Sequence, residues 1–112
     1  MKKLQFRNYN FEFNKNDKKL ITNICKTVIK QTEGDQKYFA EVKALSSIQE
    51  KIKAGDEVVK LTKDEFTRFR YQLEVNIKHF KDQIKKGWFF KKWLYKSILM
   101  QYEILYENHF KD

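Results

Sequence analysis

Polar Asn10 and Glu12 separate the apolar residues Tyr9, Phe11 and Phe13, and this period of two predicts a half-buried strand. Leu4 and Phe6 fall on the opposite parity, so a bend or bulge is expected around Arg7-Asn8, where a short hairpin would fit. The period then lengthens. Leu20/Ile21, Ile24/Cys25 and Val28/Ile29 recur at one-turn spacing, as in a helix with one dry side. Asn14 is placed to cap that helix, Asp17 to supply the first-turn acid, and Gly34 to end it. Tyr38, Val42, Leu45, Ile48 and Ile52 form the stripe of a second helix, stopped by Gly55.

Val58-Val59-Lys60-Leu61 reads as a short second strand. Directly after it, Thr62 and Glu65 have the spacing of a capping box, and Leu61 and Phe66 that of a hydrophobic staple. Phe66, Phe69, Leu73, Ile77, Phe80 and Ile84 carry the third helix to Gly87, and a fourth is expected from about Trp88 to Tyr106. Phe13-Asn14-Lys15 aligns with Leu61-Thr62-Lys63, each at a strand-to-helix junction, which suggests two pseudo-symmetric βαα halves. The expected architecture is helix-dominated α+β. It has about four helices and a small two- or three-stranded sheet drawn from residues near 3–13 and 57–61. With 112 residues, no Pro and only three Gly, the chain 1–112 is expected to form a single domain.

The last helix departs from the usual pattern. In helical projection Leu94, Tyr95, Ile98, Leu99, Tyr102, Leu105 and Tyr106 share one broad face, while Phe89, Trp93, Met100 and Ile104 gather opposite. A surface helix needs one apolar stripe. The second has to be covered by the rest of this chain, by another copy or by a different protein. Between the stripes run a charged strip, Lys92, Lys96, Glu103 and Glu107, and a thin uncharged one, Ser97, Gln101 and Asn108. Lysines lead and glutamates follow, the reverse of what the helix dipole favours.

Charge adds a second candidate surface. Lys and Arg total 24 against 15 Asp and Glu, for a net charge of +9. Residues 78–96 concentrate the excess: Lys78, Lys81, Lys85, Lys86, Lys91, Lys92 and Lys96 face only Asp82, with Trp88, Phe89, Phe90, Trp93 and Tyr95 interleaved. Such a cluster can track a phosphate backbone and stack bases, or seat a basic helix on a membrane surface. Glu103 and Glu107 argue against the membrane, because anionic lipid repels them. Arginine, whose fork reads guanine, occurs only at Arg7, Arg68 and Arg70, which disfavours sequence-specific DNA readout. Abundant Lys, Asn, Ile and Phe beside scarce Gly, Ala and Arg also fit AT-rich coding, as in a low-GC bacterium, its phage or a mobile element, and on that reading codon drift competes with an anionic partner as the explanation of the basic excess.

Catalytic motifs are not found. The chain holds no Gly-rich phosphate loop, no G-x-S-x-G, no H-E-x-x-H and no paired-cysteine zinc spacing. His79 and His109 are remote in sequence from each other and from Cys25, which is expected to be a buried, inert thiol. Met1-Lys2-Lys3 is followed by no apolar signal core, so a cytoplasmic protein is expected. The reading is a non-enzymatic accessory, adaptor or inhibitor-type module without cofactor or metal. It would bind a protein partner or itself through Phe89, Trp93, Met100 and Ile104. The alternative is non-specific or single-stranded nucleic-acid binding through Lys85, Lys86, Lys91, Lys92 and Lys96.

Overall fold

The computed structural model describes residues 8–87 and 92–111. Its elements are β1 (Asn8–Phe11), α1 (Lys15–Thr32), α2 (Phe39–Lys53), β2 (Val59–Thr62), α3 (Lys63–Lys85) and α4 (Lys92–Leu105). A 3₁₀ turn, Gln36–Tyr38, precedes α2, and a π-helical turn, Tyr106–Phe110, follows α4. This is the expected helix-dominated α+β fold, and its element order repeats βαα twice. The bend or bulge expected around Arg7-Asn8 falls where the description begins, with Asn8 opening β1 and residues 1–7 outside the described residues, as are residues 88–91, where the fourth helix is expected to start.

The chain divides into two compact units, one ending at Phe69 and the other spanning Arg70–Lys111. In the first, β1 and β2 pair antiparallel, with Tyr9 opposite Leu61 and Phe11 opposite Val59. A two-stranded sheet is marginal without packed helices, and here aromatic rings supply the attachment. Phe66, in the first turn of α3, stacks on Tyr9 with ring centroids 4.5 Å apart and lies 6.0 Å from Phe11. Phe11 in turn stacks on Phe13 at 4.9 Å. Leu20, Ile21, Ile24, Cys25 and Val28 on α1 are buried, as are Ala44, Leu45, Ile48 and Ile52 on α2. Tyr38 does not join that stripe as the sequence suggested. Asp35 accepts from the Lys37 amide and starts a 3₁₀ turn, which moves Tyr38 off the α2 register and into solvent.

Both strand-to-helix junctions carry complete capping boxes. Asn14 Oδ1 accepts from the Asp17 amide at 2.7 Å, and Asp17 Oδ2 accepts from the Asn14 amide at 3.0 Å. Thr62 Oγ1 accepts from the Glu65 amide at 3.1 Å, and Glu65 Oε1 accepts from the Thr62 amide at 2.9 Å. Asp17 and Glu65 are also the buried charged residues among those described. Glu65 goes further than a cap. Its carboxylate accepts from Lys51 Nζ at 2.7 Å and Ser47 Oγ at 2.6 Å, tying α2 to the start of α3. Beside it Arg68 Nη1 donates to Glu41 at 2.7 Å while its Nε reaches Asp64 at 3.1 Å. Helix α1 ends before Gly34, whose φ of +89° is open to glycine but strained for other residues.

Cys25 is fully buried, and burial, with the Glu41 charge adding to it, pushes its thiol up to about 12. The thiolate is the reactive form. Cys25 therefore stays unmodified by a disulfide reagent at pH 8 in the folded protein and reacts fully in denaturant. Fast labelling of the native chain would contradict this burial.

Candidate interaction surface

The second unit is built from the rest of α3, α4 and the π-helical turn. Its inner contacts are aromatic. Phe80 lies 5.6 Å from the rings of both Tyr95 and Tyr102, so positions one and three turns along α4 face α3. Tyr106 Oη donates to Glu74 at 2.9 Å, and Lys81 Nζ stands 3.6 Å from Glu103. Leu105 and Phe110 are buried, and Ile98, Leu99 and Tyr102 are half-buried. Burial raises the Tyr102 phenol above its ordinary range. The broad face expected to turn inward is therefore the packed one, with Leu94 exposed at its edge.

The opposite stripe stays in water. Trp93 is 71% exposed, Met100 61% and Ile104 51%. All three lie on one side of α4, since they are spaced by near-whole turns. Phe89, the fourth residue expected there, lies outside the described residues, as does Lys91. Isolated exposed apolar residues are ordinary, but a contiguous exposed stripe marks an interaction site. Sequence periodicity missed a smaller feature: Tyr71 and Val75, one turn apart on α3, are also exposed. Their only signal is that both fall off the Phe69–Ile84 stripe.

The lysines divide into two groups. Lys78 pairs with Asp82 at 3.9 Å and Lys81 with Glu103. Lys85, Lys86 and Lys96 are exposed and Lys92 is half-buried, and none of the four makes an ion pair among the described residues. An open groove of about 620 Å³ runs between α3 and α4, lined by Glu74, Ile77, Lys78, Lys81, Glu103, Tyr106 and Glu107. Its charges are mixed in sign, so it offers no focused field to an ionic ligand.

His79 is exposed and packs edge-on against Phe80 at 5.4 Å. Among the described residues no group of His, Cys, Asp and Glu is arranged to hold a metal ion, and no helix is long and apolar enough to cross a membrane. No protein-family model, curated protein or solved structure matches the chain.

Proposed function

We propose that the chain is a non-enzymatic protein-binding module of the cytoplasm that attaches stoichiometrically through the outward stripe of α4. The observation that carries this reading is the exposure of Trp93, Met100 and Ile104 along one side of a helix whose other side is packed. Covering Trp93 alone takes on the order of 150 Å² of apolar surface out of water, about 4 kcal/mol. Aromatic anchors at the centre of an interface commonly supply most of its binding energy. Lys92 and Lys96 border the stripe and supply a charged rim.

A photoreactive benzoylphenylalanine placed at Met100, in cells that naturally express the chain, is expected to cross-link to protein. The same probe at exposed Lys26 on α1 is the negative control. A probe at Met100 that captures no protein, neither another chain nor a second copy, removes the reading. Trp93→Ala is expected to abolish the association while leaving the thermal midpoint within about 3 °C of the parent, since exposed substitutions change stability little. Unfolding of that variant would show that the stripe belongs to the core.

Lys85, Lys86, Lys92 and Lys96, with no ion pairs among the described residues, favour nucleic acid as a second reading. Anisotropy titrations with labelled single- and double-stranded oligonucleotides test it. If four lysines each displace a counterion from duplex DNA, affinity falls about a hundredfold between 50 and 200 mM salt. No binding at the lower salt eliminates it.

A further inference from the structure

The orientation of charge along α4 identifies what covers the stripe. Helices α1, α2 and α3 each carry an acid in the first turn (Asp17, Glu41, Asp64) and a lysine in the last (Lys30, Lys51, Lys85), as the helix dipole favours. Helix α4 has no acid in its first turn and no base in its last; it opens on Lys92 and Lys96, Glu103 stands near its end, and Glu107 follows in the π-helical turn. Within its own chain this order gains nothing from the dipole, so it calls for a partner.

We infer that the partner is a second copy of this chain, with the two α4 helices packed antiparallel about a two-fold axis; this rests on the protein-binding reading above. Lys96 and Glu103 are equidistant from the midpoint between Leu99 and Met100, and so are Lys92 and Glu107. A two-fold axis through that midpoint sets Lys96 beside Glu103 of the other copy and Lys92 beside its Glu107. The pairs meet because antiparallel helices related by such an axis join like flank to like flank, and these four residues all lie on one flank of the stripe.

The same register brings the Met100 side chains together at the axis and sets Trp93 of each copy beside Ile104 of the other. It also places lysines near the negative end of the neighbouring helix dipole and glutamates near the positive end, restoring between chains the order α4 lacks within one. A parallel pair would instead lay the charged strip against the uncharged Ser97, Gln101 and Asn108. Lys81 and Lys111 already stand 3.6 and 3.2 Å from Glu103 and Glu107, but at exposed sites, where such pairs contribute little. A single short helix on each side makes a small interface, so association in the micromolar range is expected.

Sedimentation velocity from about 5 to 500 μM is expected to show the dimer fraction growing with concentration. Lys96→Glu should weaken the dimer about tenfold by setting like charges together, and adding Glu103→Lys should restore it to within about threefold of the parent. A short bismaleimide should link Lys92→Cys to Glu107→Cys in a mixture and leave either variant alone unlinked, since identical positions then lie about 22 Å apart along the axis. The buried Cys25 does not interfere. A chain monomeric at every concentration, or a charge swap no better than Lys96→Glu alone, overturns the inference. If the Met100 probe then captures only a different protein, self-pairing falls and the protein-binding reading stands; if it captures nothing, both fall.

Discussion

Replacing Glu65 by alanine is expected to destabilise the first unit by about 2–4 kcal/mol, because one carboxylate closes a capping box and accepts charge-assisted hydrogen bonds from a second helix. The variant leaves the Thr62 amide, Lys51 and Ser47 without their acceptor, while Thr62 Oγ1 can still accept from the amide of residue 65. Burial alone would push this carboxyl up; the hydrogen bonds from Lys51, Ser47 and the Thr62 amide outweigh it and hold it below its ordinary value of 4.5. A carboxylate depressed in the folded state adds stability that is complete above its unfolded value and disappears as pH falls through the lower folded one. Glu65→Gln, which stands in for the protonated acid, should therefore be less stable than the parent at pH 7, with the gap closing below about pH 4. Urea unfolding of the two proteins across that range measures it. A gap independent of pH would mean that the carboxylate charge contributes nothing.

The local half of this arrangement is legible in the chain; the rest is not. Thr62 and Glu65, like Asn14 and Asp17, announce their caps because the bonded groups are three residues apart and the geometry is intrinsic to a helix start. The same locality makes the α1 and α3 stripes readable, and the alternation that becomes β1. Lys51 and Ser47 join Glu65 only after α2 has packed beside α3, and no periodicity marks that meeting. The Arg68–Glu41 pair is hidden for the same reason. The apolar spacing puts Tyr38 on the α2 stripe because a cap at Asp35 can start either an α- or a 3₁₀-turn, and spacing alone does not distinguish them. The π-helical turn at Tyr106–Phe110 likewise continues the apolar pattern of α4 without a local mark. On α4 both stripes can be counted from the residues, whereas which of them meets α3 is decided by Phe80 docking against Tyr95 and Tyr102.

Phe66→Ala is expected to cost about 3–5 kcal/mol, the range for truncating a buried phenylalanine. The loss should be read at a distance from the mutated helix. Phe66 is buried, and its ring stacks on Tyr9 and lies close to Phe11, the two inward residues of β1. Two strands hold together poorly without such cover, so the amides of β1 and β2 should lose hydrogen-exchange protection before those of α1. Protection retained in β1 would show that the strands persist without the ring. Trp93→Ala supplies the contrast: a larger aromatic is removed and the fold is expected to be nearly unaffected, because its surface faces water. One ring has already gained its burial energy in folding. The other still has it to gain, and only association can supply it.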